Sequence, residues 1–297
     1  MIMNIKLEKI KKNQYKFFFV LPAFIFVLVI FIIPNILNFG YSFTNWSPVN
    51  PDLVFRGLAN FIELSQQKII WNDLFTSIKF AVSVCLLQNL TALIFAIALE
   101  KATKFNAVAR TILFIPVVLS PLAAGYIWRA LYHYQGPIND FLHFITRTDI
   151  NFPFLGSLNL AIFFVAITQS WKAYGITMLV YIAGLKSIPE ELVEAARVEG
   201  GSNWSILMKI KLPLIGPSFT FNLVTTLIGS LSAFGLILVM TKGGPGRATQ
   251  VLNLLIYEYF GYGRWGYATA VTFVNFIFIS IIAIPLIYWL RKREVEL

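Results

Sequence analysis

The amino-acid sequence predicts an all-α integral membrane protein with about six transmembrane helices. Of its 297 residues, 58% are hydrophobic and 13% are charged, and the mean hydropathy of +0.72 is far above that of soluble domains. Six apolar runs are each long enough to cross a bilayer, which takes about 20 helical residues. The runs lack the alternation of membrane-spanning strands, so they are predicted to be helices.

The apolar runs set the predicted domain organisation. A cytoplasmic N-terminal tail at 1–16 precedes a transmembrane domain over 17–290, and a second cytoplasmic tail covers 291–297. The first span has no Ala-x-Ala cleavage site, so we expect it to be retained as an anchor. The predicted spans are 17–39, 74–99, 111–132, 158–185, 214–240 and 266–290. Prolines predict kinks in several of them, at Pro22, Pro34, Pro116, Pro121, Pro217 and Pro285.

Basic residues predict the orientation in the membrane. The two tails and the second and fourth connections carry 15 Lys and Arg, against 6 in the other three connections. Because connections rich in Lys and Arg stay in the cytoplasm, we expect a multi-pass protein of the cytoplasmic membrane with both termini inside. The net charge of +10 is spread between apolar runs and not gathered on one face, so a nucleic-acid partner is not expected.

Catalytic and metal-binding residues are not indicated. Cys85 is the single cysteine and lies in an apolar run, while His133 and His143 share one outer connection. Paired carboxylates or a metal-ligand cluster on a span are absent from the sequence pattern, which disfavours a membrane enzyme. A secondary transporter remains a less favoured alternative, because the spans contain almost no acids and no clear internal repeat.

The fourth connection, 186–213, is the most informative segment, reading KSIPEELVEAARVEGGSNWSILMKIKLP. Ser187 and Glu190 form a capping-box pattern that predicts the start of a helix near Ile188. Gly200 permits the left-handed backbone conformation with which many helices end. We therefore expect one short helix before the glycine and a second one after it.

The second helix is predicted to begin after Ser202, which can cap it, and to end at Leu212 and Pro213. The resulting helix–turn–helix would lie at the cytoplasmic membrane surface. A simple amphipathic linker resting among lipid headgroups is the alternative. The small side chains of Ala195 and Ala196 favour close approach of another protein backbone, and the neighbouring acidic residues would repel anionic headgroups.

The spacing within this connection resembles that of the EAA loop of binding-protein-dependent ABC importer permeases. Every spacing of that pattern is kept by Glu194, Ala195, Ala196, Gly200, Ile210, Leu212 and Pro213. The chain departs from the pattern at Glu199-Gly200-Gly201, where Asp-Gly-Ala is usual. The acid and the turn glycine are retained, so the departure bears only on fine docking geometry.

The resemblance extends along most of the chain. It is carried by LPAFIFVLVIFIIPNILNFGYSFTNW at the start, WKAYGITMLVYIAGLKSIPEELVEAA before the EAA pattern, AFGLILVMTKGGPGRATQVL after the fifth span and GYATAVT at the sixth. Together these stretches resemble the sugar and glycerol-phosphate branch, and within it the maltose-F-like subunit. The fold implied is that of a type I ABC importer permease with a cytoplasmic helix–turn–helix coupling loop.

The resemblance also implies a division of labour between subunits. The EAA loop would dock on a cytoplasmic ATPase, with Glu194 and Gly200 at the centre of the contact. ATP and Mg would be bound by two such ATPase subunits, because the present chain contains no phosphate-binding loop pattern. A second related permease, in a heterodimer, and an extracellular or periplasmic solute-binding protein are the other implied partners. The substrate implied is a sugar or oligosaccharide, with glycerol phosphate or another small polar solute as the alternative.

Polar and aromatic residues within the spans are candidates for the substrate pathway, because such groups are costly against lipid. The candidates are Gln88, Asn89, Ser120, Gln169, Trp171, Lys172, Tyr174, Asn222, Ser230, Ser232 and Asn275. Lys172 stands out as a charge in the fourth span, and its aromatic neighbours suit stacking on a sugar ring. For each candidate the alternative is a hydrogen bond between packed helices. In the family, the turn-rich outer stretch TKGGPGRATQ lies near the docked solute-binding protein; the alternative is an ordinary tight loop.

Overall fold

The structure is a computed structural model that describes residues 19–49, 52–148 and 151–294. Within these ranges the chain is helical, apart from turns and one isolated antiparallel bridge between Thr44 and Phe55. The all-α prediction is confirmed. The predicted N-terminal tail at 1–16 lies outside the described residues, as do 295–297 of the predicted C-terminal tail.

The helices of the described ranges are numbered here in chain order. They are α1 Phe19–Tyr41, α2 Ala59–Gln66, α3 Lys68–Leu99, α4 Lys104–Val118, α5 Pro121–Leu131, α6 Pro137–Thr146, α7 Ala161–Lys186, α8 Glu190–Val198, α9 Asn203–Leu214, α10 Gly216–Leu231, α11 Gly235–Met240, α12 Leu252–Gly261 and α13 Trp265–Arg291. Residues 19–66 and 258–273 belong to one compact unit, and residues 67–257 and 274–294 to another.

The first unit is held together by backbone contacts around Asn60, whose side chain is buried. Its Nδ2 donates hydrogen bonds to the carbonyl oxygens of Ser42 and Thr44, each over 2.9 Å. The Gly266 N–H donates to the Trp46 carbonyl oxygen over 2.7 Å, and a Cβ at Gly266 would lie 2.3 Å from the Thr44 carbonyl oxygen. The Ser-Phe-Thr-Asn-Trp and GYATAVT stretches therefore meet at a position that only glycine fits.

The second unit is built on α3 and α7, which pack along each other. One apolar cluster includes Phe80 of α3 and Val165 of α7, and another includes Ala96 of α3 and Met178 of α7. Gly175 lets α7 approach α4 closely, because an added Cβ would lie 2.9 Å from the Leu113 carbonyl oxygen. Small and apolar side chains fill the interior positions of these two clusters, as close packing in membrane helices requires.

Three described helices, α1, α3 and α13, are long and apolar enough to cross a membrane. Two bent pairs, α4 with α5 and α9 with α10, would raise that number to five. The predicted fourth span, 158–185, corresponds to α7, whose 26 residues include the polar stretch Gln169-Ser170-Trp171-Lys172. Helix α7 is not among the helices and bent pairs that are long and apolar enough to cross a membrane. A total of six spans therefore stays a prediction.

The predicted third span, 111–132, is broken, which differs from the kinked helix expected from its prolines. Helix α4 ends at Val118 and α5 begins at Pro121, with a 98° angle between them. Ser120 caps α5 by accepting a hydrogen bond from the Ala123 N–H over 3.1 Å. Pro121 follows at the first helical position, where its missing N–H has no intrahelical partner to lose.

The predicted fifth span, 214–240, is also broken. Helix α10 ends at Leu231, and α11 begins at Gly235 after three non-helical residues. The second predicted span begins earlier than expected, since α3 starts at Lys68 and not at 74. This extension brings Asp73 into the helix, where its side chain is fully buried.

Candidate functional site

The EAA segment, defined here as 187–214, contains the two short helices α8 and α9 and the turn between them. Its beginning differs from the prediction. The Ser187 hydroxyl donates to the Gly184 carbonyl oxygen over 2.8 Å and so closes α7 without capping α8. Helix α8 starts at Glu190, with Pro189 before it and no side-chain cap. The predicted capping box is therefore wrong, because Pro189 occupies the N-cap position and Ser187 lies before it.

The turn of the EAA segment follows the prediction. Gly200 has a φ of +83°, and the Gly201 N–H donates to the Ala196 carbonyl oxygen over 2.9 Å, a bond typical of the Schellman turn. An added Cβ at Gly201 would lie 2.7 Å from that same oxygen. Ser202 caps α9 by accepting a hydrogen bond from the Ser205 N–H over 3.2 Å, as expected.

The EAA segment ends at Leu214, one residue beyond the predicted end at Pro213. A π-helical turn, Leu207–Lys211, leads into Leu212–Leu214, and a 65° bend then separates α9 from α10. Pro213 is tolerated because it occupies the first turn after the π-helical stretch. The bend therefore lies after Leu214 and not at Pro213.

One side of the EAA segment packs against the protein and the other is exposed. Val193 contacts the cluster that contains the buried Ile188 and Ile215. Val198 is 89% exposed and Trp204 is 70% exposed. Of the predicted small-residue face, Leu192, Ala195 and the neighbouring Glu194 are exposed, whereas Ala196 is half-buried. Val198 and Trp204 are two further exposed apolar side chains of the segment, which the sequence analysis did not single out.

A cavity of about 340 Å³, lined by amide, hydroxyl and apolar side chains, lies among α3, α7 and α10. It gathers four predicted pathway residues, Gln88, Gln169, Asn222 and Ser230. Sequence reasoning missed three threonines that also line it, Thr177, Thr225 and Thr226. The described residues that line this cavity carry amides, hydroxyls or apolar groups and no charge.

Two amides of this cavity also join helices. The Gln88 Nε2 donates to the Thr177 Oγ1 over 2.7 Å and reaches the Thr226 Oγ1 over 3.3 Å. The Asn222 Nδ2 donates to the Thr177 carbonyl oxygen over 3.1 Å. The nearby Asn89 Oδ1 accepts a hydrogen bond from the Tyr181 hydroxyl over 2.8 Å. These contacts are the interhelical bonds that the sequence left open as the alternative role.

The stretch TKGGPGRATQ forms a closely tied loop, defined here as the GGPG loop (241–251). An Arg247 Nη2 donates to the Asp73 Oδ2 over 2.7 Å. The Ser77 hydroxyl accepts a hydrogen bond from the Leu252 N–H over 3.1 Å, so two residues of α3 hold the loop. Gly243 has a φ of +84°, and an added Cβ would lie 1.8 Å from the Gln250 Oε1.

Comparisons with known proteins agree with this arrangement. Residues 88–294, which contain α7, the EAA segment and the GGPG loop, match the family described as binding-protein-dependent transport system inner membrane component. The chain belongs to this family. The family is one of membrane permeases, which points to a non-enzymatic, multi-pass subunit of the inner membrane.

Relatives of this permease match it over nearly its whole length. The probable starch degradation products transport system permease protein AmyD of Thermoanaerobacterium thermosulfurigenes is 30% identical over 98% of this chain and 99% of its own. The trehalose/maltose transport system permease protein MalF of Thermococcus litoralis is 30% identical over 92% of each chain. The predicted family is thus confirmed.

A solved structure confirms the predicted type I permease fold. A bacterial ABC transporter involved in the import of the acidic polysaccharide alginate superimposes with a TM-score of 0.80, at 22% identity, over 96% of this permease and 98% of that chain. In a second structure, the alginate transporter is in complex with a pentasaccharide-bound periplasmic protein and gives a TM-score of 0.77 at 22% identity over 95% and 94%.

The remaining predicted pathway residues of the permease lie outside the cavity lining. Trp171 packs edge-on against Trp128 with ring centroids 5.3 Å apart, and Tyr174 lies 5.7 Å from Phe95. Both aromatic side chains therefore pack among core residues, while the half-buried Lys172 between them does not line the cavity.

Ser232 and Asn275 also lie away from this cavity. Ser232 is exposed at the C-terminus of α10. The Asn275 Nδ2 donates to the Asn253 Oδ1 over 3.0 Å. Across the three described ranges, no group of three or more His, Cys, Asp and Glu residues is arranged to hold a metal ion.

Proposed function

We propose that this permease forms one half of the translocation pathway of an ATP-driven importer for a sugar or oligosaccharide, and that its EAA segment docks on a cytoplasmic ATPase subunit. The observation that carries the docking proposal is the exposed face of the segment. Val198 and Trp204 are largely exposed on a segment that packs against the protein through Val193. Exposed aromatic and aliphatic side chains of this kind are typical of interfaces.

The basic-residue count supports a cytoplasmic position for both termini and for the EAA segment. In the proposed assembly, two ATPase subunits bind ATP and Mg, and a second related permease completes the pathway as a heterodimer. A solute-binding protein delivers substrate on the outer side, near the GGPG loop. Residues Glu194 and Gly200 lie in the proposed ATPase contact, with Ala195, Ala196, Ile210, Leu212 and Pro213 shaping the segment around them.

The uncharged cavity supports a neutral, hydroxyl-rich solute. Amides and hydroxyls such as those of Gln169 and Thr225 pair well with sugar hydroxyls, and the cavity lining offers no cation for a phosphate. Two relatives are named for starch degradation products and for trehalose and maltose. A third, from Rhizobium meliloti, is 29% identical over 80% of this chain and is named for sn-glycerol-3-phosphate, which supports the alternative substrate.

The substrate proposal is tested on the cognate solute-binding protein. We expect calorimetric titration to detect maltotriose or a related oligosaccharide and no binding of sn-glycerol 3-phosphate. Binding of the phosphate alone would contradict a neutral substrate and select the alternative.

The docking proposal is tested by replacing Gly200 with tryptophan in the full transporter. Nothing lies within 4 Å of an added Cβ at Gly200, so the bulk is placed on the proposed ATPase contact. We expect the ATPase to be lost on co-purification and uptake into membrane vesicles to cease. Gly57→Trp is the matched control, because Gly57 also has a positive φ of +55° and open surroundings but lies in a predicted outer connection. Unaltered assembly in the Gly200 variant would reject the proposal.

A further inference from the structure

An ion pair joins the end of the EAA segment to the end of α3. The Lys211 Nζ lies 2.5 Å from the Glu100 Oε1, and the two side chains are only 20% and 22% exposed. Glu100 directly follows α3, and Lys211 is the last residue of the π-helical turn in α9. In the EAA pattern, position 211 is the unspecified residue between Ile210 and Leu212, so the resemblance gives it no role.

The surroundings of this pair are open. Cavities of about 470 Å³ and 350 Å³ are both lined by Glu100, Lys211, Val193 and Arg197. Helix α8 therefore faces the end of α3 across space that packed side chains do not fill. The Glu100–Lys211 pair lines both cavities and joins α9 to the end of α3, whereas α8 is attached through Val193 to the neighbouring apolar cluster.

Glu100 belongs to a connection that is tied firmly to two membrane helices. The Arg110 side chain, on α4, donates to the carbonyl oxygen of Leu99 and, over 3.0 Å, to that of Lys101. The Asn106 Nδ2 donates to the same Lys101 oxygen over 2.9 Å. Cations at this point also suit the negative end of the α3 dipole. A displacement applied to Glu100 is thus transmitted to both α3 and α4.

Lys211 lies next to a point where the backbone changes direction. The 65° bend between α9 and α10 follows within a few residues of the π-helical turn. Turns of this kind recur at functional positions in helices and at kinks. An EAA segment that moves as a body would turn about this bend. Ile215 at the bend packs in the apolar cluster with α3 and α7, and Lys211 adds a charged contact from this end of the segment to the end of α3.

We infer that the Glu100–Lys211 ion pair is a positioning link that carries the displacement of the EAA segment to α3 and α4. The inference rests on the proposed function, because the displacement comes from the docked ATPase. With the link intact, the EAA segment and α3 move together when the ATPase binds nucleotide. Without it, the EAA segment moves while α3 lags behind.

The test measures the distance between the EAA segment and α3 in the complete transporter. Spin labels are placed at Asn203 of α9 and Leu86 of α3, both exposed, in a Cys85→Ser background. Distances are recorded by pulsed electron spin resonance without nucleotide and after trapping with ATP and vanadate. With the ion pair intact, we expect the same distance distribution in both states.

Removal of either charge is expected to make this distance depend on nucleotide. Glu100→Gln and Lys211→Gln should each shift the distribution on trapping, and the exchanged pair Glu100→Lys with Lys211→Glu should restore the nucleotide-independent distance. Lys209→Gln is the matched control, since Lys209 is an exposed cation of the same π-helical turn. A purely structural role would lower the yield of the variants without making the distance respond to nucleotide.

Two results would overturn the inference: nucleotide-independent distances in both neutral variants, or an exchanged pair that behaves like the single variants. If the neutral variants do not accumulate in the membrane, Glu100→Asp is tested in their place, because it keeps the charge but shortens the side chain. A smaller nucleotide-dependent shift of the distance is expected for it, and a distance that does not change with nucleotide would contradict the inference. Failure of the proposed function is recognised separately, because the ATPase would then not co-purify with the unsubstituted permease.

Discussion

The GGPG loop and the EAA segment both turn on a glycine in the left-handed region, yet their surroundings are opposite. Gly243 and Gly200 have φ values of +84° and +83°. A Cβ at Gly243 would lie 1.8 Å from the Gln250 Oε1, whereas nothing lies within 4 Å of one at Gly200. The conformation of the GGPG loop is thus held by contacts within the permease. The turn of the EAA segment has open surroundings at Gly200 and is not held by such contacts.

The largest effect is expected from Gly243→Ala. The alanine adds about 1–2 kcal/mol of left-handed backbone strain, and displacing Gln250 adds an overpacking cost of about 1–3 kcal/mol. Gly200→Ala has the same backbone strain and open surroundings, so it should cost only about 1 kcal/mol. Thermal unfolding of the purified permease in detergent compares the two variants. Equal losses of stability would show that the different surroundings of Gly243 and Gly200 do not change the free energy of unfolding.

An intermediate effect is expected from Arg247→Gln, which removes the cation that pairs with the buried Asp73. Breaking a buried pair by deleting one partner costs about 3 kcal/mol, and the Asp73 side chain is 1% exposed. Asp73→Asn should cost less, because the Arg247 side chain is 39% exposed and its charge can reach water. The same unfolding measurement ranks the two variants. A greater loss for Asp73→Asn would contradict this assignment of the buried charge.

The smallest effect on the isolated permease is expected from Trp204→Ser and Val198→Ser on the EAA segment. Exposed substitutions away from special contacts usually change stability by less than about 0.5 kcal/mol. Co-purification of the ATPase should nevertheless weaken, because the exposed apolar face is lost. Leu86→Ser, at a position of α3 that is 67% exposed, serves as a control outside the segment. Undiminished ATPase recovery with both EAA variants would show that this face is not the docking surface.

The sequence predicted those features that depend on local residue patterns. Gly200 ends α8 and Ser202 caps α9 because each effect involves residues within one turn. The breaks before α5 and α11 were missed because hydropathy stays high through them. A local signal was present at the first break, where Ser120 and Pro121 form a helix-start pattern inside the apolar run.

Contacts between distant parts of the chain were beyond the reach of pattern reasoning. The Asp73–Arg247 pair joins residues on α3 and the GGPG loop, and the predicted second span excluded Asp73 by one residue. The Gln88 amide was predicted to be polar and inward-facing, yet its partners Thr177 and Thr226 depend on how α3, α7 and α10 pack. The capping box failed for a local reason, since α8 begins only at Glu190 and has Pro189 at its N-cap position.

The close contact at Gly266 links two stretches that are far apart in the sequence. The Gly266 N–H reaches the Trp46 carbonyl oxygen, and the Thr44 carbonyl oxygen occupies the place of a side chain. A methyl group at position 266 would therefore push the chain following α1 away from the start of α13. Because both partners are backbone atoms, a hybrid permease assembled from two parents would keep this contact only if it has glycine at position 266.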